Sequence, residues 1–296
     1  MPFVDEQQGR KSMNATVATN WEVTDAKPNI GAIIRSDKET LLSGERAQEI
    51  REIMERRGVI VFPEINLTDE EQIAFTHTLG TFAHEASEYG DKTDDAVYPI
   101  TMDTSINPNA DYLKGAFYWH IDGTMAQVPI LGSIMSSRRL SPPGTGDTEF
   151  CNTYAAWDAL PEEEKAQLED LKVDHAMWRS QLYYNPEPSF DQLKAWQSMG
   201  VNRLPLVWKH RSGRKSLVLG CTALQVAGKD MSESEALLVK LREWATREEF
   251  SYRHQWKLGD MVVWDNTGTM HRALPYDHTS GRLMHRTKLE GEEAFA

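Results

Sequence analysis

The residues of this chain best suited to chemistry are His120 and Asp122, two residues apart near the end of Gly115-Ala116-Phe117-Tyr118-Trp119-His120-Ile121-Asp122-Gly123-Thr124. In an extended segment, residues i and i+2 point to the same face. An imidazole and a carboxylate can therefore converge there on one metal ion. A second, distant histidine would complete the facial set of a non-haem Fe(II) centre, with three coordination positions left open. His271 is the strongest candidate, because it follows the apolar run Met261-Val262-Val263-Trp264 and a tight turn that can bring it back on a late strand. Alone, a His-x-Asp triplet says little, since residue frequencies produce about one in a few hundred residues. The plain alternative is a surface histidine near an aspartate.

The two cysteines, Cys151 and Cys221, form neither a CxxC pair nor a disulfide framework, which suits a reducing compartment and buried, inert thiols. A net charge of −13 argues against nucleic acid or an anionic membrane as the main partner. No apolar run approaches the ~18 residues of a membrane span, and no signal-peptide core opens the chain. Composition thus points to a cytoplasmic globular protein whose 296 residues fill one large core or two modest domains.

The elements that must position these residues are mostly short strands. Residues 1–20 are polar and aperiodic and read as a flexible arm, with Met13 an alternative start. Ile30 to Ile34 reads as a strand, Ser43 to Arg57 as a helix ended by Gly58, and Val59-Ile60-Val61-Phe62 as a buried strand closed by Pro63. Thr68 and Glu71 form a capping box for a helix running to Leu79. Residues 85–113 form a long insertion, rich in Asp, Asn, Pro and Tyr, that is placed to cover a site. Strands are expected near Tyr98 to Met102 and Pro129 to Ser137, two helical pieces over Tyr154 to Leu171, and a hairpin over Leu204 to Leu219. Ser232 and Glu235 read as a second capping box, and Phe250, Tyr252, His254 and Trp256 alternate before the strand Met261 to Asp265. Residues 177–203 suit an ordered cover or a contact in a homo-oligomer, dimer or higher. Many short strands with helices outside favour a mainly β sandwich or barrel, forming a single domain over residues 21–296.

Several blocks recur together in one known setting. Trp119-His120-Ile121-Asp122, Gly146-Asp147-Thr148, Gly259-Asp260-Met261-Val262-Val263-Trp264-Asp265-Asn266, Met270-His271-Arg272-Ala273 and Arg282-Leu283-Met284-His285-Arg286-Thr287 resemble, in this order, the signature blocks of the taurine dioxygenase / dichlorophenoxyacetate dioxygenase (TauD/TfdA) family. The resemblance runs from about Gly31 to Gly291. It implies a double-stranded β-helix (jelly-roll) core with surrounding helices, and a dioxygenase dependent on Fe(II), 2-oxoglutarate and O2. By the same resemblance His120, Asp122 and His271 are the iron ligands, while Thr148 and Arg282 hold the distal carboxylate of oxoglutarate. A guanidinium fork and a hydroxyl donor suit that carboxylate. Arg286 lies four residues beyond Arg282, so on an extended strand both face one cavity, and the family resemblance gives Arg286 the anionic group of the primary substrate. His84 resembles a substrate-contact histidine.

The implied reaction hydroxylates a C–H bond with release of succinate and CO2, and cleaves the substrate when the hydroxylated carbon bears an ether or sulfate oxygen. The block Met284-His285-Arg286-Thr287 looks closer to the aryloxyalkanoate members, so a small, anionic carboxylic acid is the expected substrate. Tyr112, Phe117, Tyr118, Met125, Trp178 and Tyr183 are candidates for an aromatic-friendly lining. Rival readings are a sulfonate or alkyl sulfate dioxygenase of the same family, a metal-dependent cupin-type isomerase or hydrolase, and a non-catalytic jelly-roll binding protein. The last would be expected to lack a metal ligand, and the cupin reading gives Arg282 no purpose.

Overall fold

The structure is a computed structural model that describes residues 20–84, 95–108 and 110–296; for Asp111 and Tyr112 the side chains are not described. The expected N-terminal arm up to residue 19, residues 85–94 of the expected insertion, and the Tyr112 side chain lie outside the described residues.

In chain order the strands are β1 (Glu22–Asp25), β2 (Ala32–Arg35), β3 (Val59–Phe62), β4 (Tyr98–Ile100), β5 (Gly132–Arg139), β6 (Thr148–Asn152), β7 (Lys172–Ala176), β8 (Val201–Pro205), β9 (Val207–Lys209), β10 (Lys215–Leu217), β11 (Ala223–Val226), β12 (Ser251–His254), β13 (Met261–Asp265), β14 (Thr269–Ala273) and β15 (Leu283–Leu289). The helices are α1 (Lys38–Leu42), α2 (Ala47–Arg57), α3 (Asp69–Leu79), α4 (Thr153–Asp158), α5 (Glu162–Leu168), α6 (Met177–Gln181), α7 (Phe190–Gln197) and α8 (Met231–Ala245). This is a mixed sheet-and-helix fold, with more helix than the mainly β expectation.

Two sheets position the site. The larger has the order β1-β2-β3-β13-β5-β15-β4, and the smaller β12-β6-β14. Residues of both meet in one apolar cluster: Phe150 from β6 packs with Val61, Met135, Val262, Trp264 and Met284 from the larger sheet. On the outer face, α3 is fastened by fully buried Gln72, whose amide donates to the carbonyls of Ile134 (3.2 Å) and His285 (3.1 Å) while its oxygen accepts from Ser136 (2.5 Å). The side chains of β15 therefore alternate. Thr287 turns out to Thr76, whereas Met284 joins the inter-sheet cluster and Arg286 reaches Asp122.

Local chemistry decides most of the boundaries. The Thr68 capping box forms as expected, with reciprocal bonds between Thr68 and Glu71. The capping box of α8 sits two residues earlier than its sequence position: Asp230, not Ser232, is the cap and pairs with Glu233. A carboxylate beside the positive end of a helix is a stronger acceptor than a hydroxyl. The helix expected over Ser43 to Arg57 starts late, because Gly44 turns the chain at φ +76° and α2 begins only at Ala47. The expected extended run at Gly115–Phe117 is instead the end of a 3-10 helix over Ala110–Phe117. No β-branched residue stiffens that run, and its ends close locally, Ala110 N–H to Asn107 O and Tyr118 N–H to Gly115 O.

Candidate active site

His120 is placed by one antiparallel bridge to His271 on β14, with His120 N–H donating to His271 O (3.1 Å) and His271 N–H to His120 O (3.0 Å). That bridge, rather than a continuous strand, brings the two imidazoles together with ring centroids 4.1 Å apart. Segment 220–221 backs the bridge. Cys221 N–H donates to Trp119 O (2.8 Å), and Gly220 approaches so closely that a Cβ there would lie 3.0 Å from both His120 Cα and Trp119 O.

Asp122 is fixed from the turn between β13 and β14. Asp122 N–H donates to Asn266 Oδ1 (3.0 Å), and Asn266 Nδ2 donates to Asp122 O (2.7 Å) and Ile130 O (3.2 Å). Asn266 belonged to a recognised sequence block, yet nothing local marks it as this clamp.

The donor set suits a divalent metal. The ligating atoms of His120, Asp122 and His271 all lie within 4.8 Å of one another, and this is the one such group among the described residues. His120 Nδ1 lies 2.8 Å from Tyr118 O. A carbonyl can only accept, so Nδ1 carries the hydrogen and Nε2 keeps its lone pair, facing Asp122 Oδ1 at 3.7 Å. Asp122 Oδ2 is buried and accepts no hydrogen bond, although Arg286 stands 3.5 Å away, and a bound cation would use that free lone pair. Burial opposes ionisation of Asp122, but His271, Arg286, His120 and Lys288 together outweigh it and hold the carboxyl at about 2. Burial, reinforced by His120, pushes His271 down to about 3. At neutral pH the carboxylate is thus charged and the imidazole neutral, the forms that bind metal.

Arg282 is only 4% exposed, and burial works against its charge. Its Nη2 donates to Gly146 O (3.1 Å) and its guanidinium lies 4.9 Å from the Tyr276 ring centroid. Among the described residues no carboxylate forms a salt bridge with it, so the buried cation is suited to an incoming anion. Thr148, also buried, neighbours the same Gly146 turn, and its hydroxyl accepts from Trp256 Nε1 (3.0 Å).

Arg286 lies 3.5 Å from Asp122 Oδ2 and over the ring of Tyr98, 5.5 Å from its centroid. The structure therefore joins Arg286 directly to Asp122 of the candidate metal triad. His84 is engaged elsewhere: its Nε2 is 2.9 Å from Asp95 Oδ1, while His77 holds the other oxygen of Asp95 at 2.6 Å. No contact joins His84 to the triad among the described residues. Of the candidate aromatic lining, Tyr118 packs on Tyr183 and Phe117 stacks on His278. Both cysteines are buried, and burial raises their pKa values, Cys221 to about 12.

The family model for "Taurine catabolism dioxygenase TauD, TfdA family" matches residues 22–288, from the start of β1 to the penultimate residue of β15. The chain belongs to the TauD/TfdA family. It is 33% identical over 264 residues to an alpha-ketoglutarate-dependent 2,4-dichlorophenoxyacetate dioxygenase of Cupriavidus pinatubonensis, covering 84% of this chain and 90% of that one. It is 29% identical over 295 residues to an alpha-ketoglutarate-dependent sulfate ester dioxygenase of Pseudomonas putida, covering 94% of each. Among solved structures, AAD-2 in complex with Mn(II) and N-oxalylglycine superposes with a TM-score of 0.77 at 30% identity, over 93% of this chain and 99% of the other. This TauD/TfdA chain is thus an oxidoreductase, an alpha-ketoglutarate-dependent dioxygenase. Family membership implies oxoglutarate and O2 as cosubstrates, and implies iron, which the triad fits. No helix among the described residues is long and apolar enough to cross a membrane.

Proposed function

We propose that the chain hydroxylates, or cleaves after hydroxylation, a small anionic organic substrate of the aryloxyalkanoate type, using Fe(II), oxoglutarate and O2 and releasing succinate and CO2. The observation that carries the substrate class is Arg286: a guanidinium lying over Tyr98 and 3.5 Å from the candidate metal ligand Asp122. An anionic group held there would bring the adjoining carbon toward the His120, Asp122 and His271 side chains, and the tyrosine ring offers an aromatic neighbour. The 33% identity to a 2,4-dichlorophenoxyacetate dioxygenase supports this reading.

In this reading His120, Asp122 and His271 hold the iron, which when bound supplies the activation of O2. Asn266 keeps Asp122 oriented, and Tyr118 O keeps Nε2 of His120 available. Arg282 and Thr148 hold the distal carboxylate of oxoglutarate, the former as a charged donor and the latter through its hydroxyl hydrogen. We further read residues 21–296 as one catalytic domain whose two facing sheets form a double-stranded β-helix, which the strand orders β1-β2-β3-β13-β5-β15-β4 and β12-β6-β14 support.

The test is succinate formation with Fe(II), ascorbate and oxoglutarate across aryloxyalkanoates, other carboxylic acids, alkyl sulfates and sulfonates. Substrate-dependent turnover with aryloxyalkanoates is expected. A second reading, sulfate-ester cleavage, is favoured by the 29% identity to the sulfate ester dioxygenase. Turnover confined to sulfates or sulfonates would replace the first reading with the second.

A further inference from the structure

We propose that Arg253 and Trp256, one β12 residue and one just beyond that strand, are positioning residues that set the polarity of the oxoglutarate-carboxylate site formed by Arg282 and Thr148. The inference rests on that assignment of Arg282 and Thr148 and adds what keeps them receptive to an anion.

The difficulty that Arg253 solves is a charge conflict inside the site. Asp147 is 5% exposed and adjoins Gly146, whose carbonyl holds Arg282. It is the carboxylate whose charge acts on that guanidinium. Two buried opposite charges on neighbouring segments neutralise one another when nothing else engages either. A paired Arg282 would meet oxoglutarate with its charge already spent. Arg253 prevents this: its Nε and Nη2 both lie 2.8 Å from Asp147 Oδ2. Asp147 is thereby satisfied from the β12 side, and Arg282 is left with a carbonyl and the Tyr276 ring, partners that carry no full negative charge.

Trp256 solves a conflict of direction. A threonine hydroxyl can donate or accept, and an oxygen lone pair turned toward a carboxylate would repel it. An indole N–H can only donate. The bond from Trp256 Nε1 to Thr148 Oγ1 (3.0 Å) therefore occupies the accepting side of the hydroxyl and leaves its hydrogen to be donated. Among the described residues that hydrogen has no protein acceptor. The indole is held edge-on to His254, with ring centroids 4.6 Å apart at 84°, and His254 is anchored in turn by Asp260 at 3.1 Å. One short segment, residues 253–256, thus removes a competing anion and orients a donor.

The experiment compares oxoglutarate affinity, measured calorimetrically on the folded metal-loaded protein, with metal affinity and with KM for the primary substrate. Trp256→Phe should weaken oxoglutarate about fivefold, the loss of one ordinary hydrogen bond, and Thr148→Val should add little in that background. Arg253→Leu should weaken it about tenfold, and Asp147→Asn in the Arg253→Leu background should restore it. Metal affinity should stay unchanged throughout. A merely structural role for Arg253 predicts no rescue by Asp147→Asn, and that result overturns the charge argument. Unchanged affinity in Trp256→Phe overturns the orienting argument. If Arg253→Leu does not fold, the double variant, which buries no unpaired carboxylate, decides together with Trp256→Phe. Wild-type protein that binds no oxoglutarate sinks the site assignment and the positioning roles with it, whereas wild-type binding with unaltered variants sinks the positioning roles alone.

Discussion

Asn266→Ala tests how far the candidate metal site depends on a residue that touches no metal. Asn266 is fully buried and makes three hydrogen bonds, two to the backbone of Asp122 and one to Ile130 O. Truncation leaves Asp122 N–H, Asp122 O and Ile130 O without these partners. At about 1 kcal/mol per lost bond, the lower end of the cost of stranding buried polar groups, the fold should lose about 3 kcal/mol. For a chain of this size that lowers the thermal midpoint by roughly 6–12 °C. Asp122 should also lose its fixed orientation, and outer residues of this kind typically contribute 10–100-fold to metal affinity, or about 1.4–2.7 kcal/mol. Thermal unfolding of the metal-free protein measures the first effect, and calorimetric titration with Mn(II) the second. Asn266→Asp is the informative companion, since it turns an acceptor oxygen toward two carbonyls and should be worse than alanine. If Asn266→Ala kept metal affinity within about twofold while losing stability, the clamp would serve the fold alone and the orienting argument would be wrong.

Three further outcomes follow from the same geometry. Gly220→Ala combines a φ of +119° with a Cβ only 3.0 Å from His120 Cα, so it should cost about 2–4 kcal/mol of stability and weaken metal binding; an unchanged melting curve contradicts this. Arg286→Met should raise KM for the anionic substrate about 30-fold, roughly 2 kcal/mol, while oxoglutarate affinity holds, and steady-state kinetics with each varied in turn separates the two. Fully buried His175 is pushed to about 4, chiefly by burial and against the pull of Asp174. Its folded pKa lies below the unfolded value near 6.5, so the unfolded chain binds its proton first and stability present above pH ~6.5 is lost as pH falls toward ~4, by at most about 3 kcal/mol. His175→Gln should flatten that acid limb in thermal denaturation across pH, and parallel limbs would refute the assignment.

The candidate triad residues and the order of their blocks were legible in the sequence because side-chain chemistry is local: imidazole, carboxylate and guanidinium groups are read from the residue type alone, and the blocks keep their order along the chain. The apolar runs of β3 and β13 and the Thr68 cap were legible for the same reason, since four to six residues contain the whole signal. The aromatic run before His120 misled, because Ala110–Phe117 closes its hydrogen bonds within itself and only His120 reaches across to His271. The late start of α2 turned on a single positive φ at Gly44, a backbone choice that helical periodicity does not record.

By itself, then, the sequence determined which side chains are candidates to bind a metal and carboxylates. The tertiary structure alone decided their working state. It set Asn266 on the backbone of Asp122, Tyr118 O on Nδ1 of His120, Arg253 on Asp147 and Trp256 on Thr148. Each of these pairings fixes a proton, a lone pair or a charge. All but the Tyr118–His120 bond join residues more than a hundred positions apart, where no local pattern in the chain can record them.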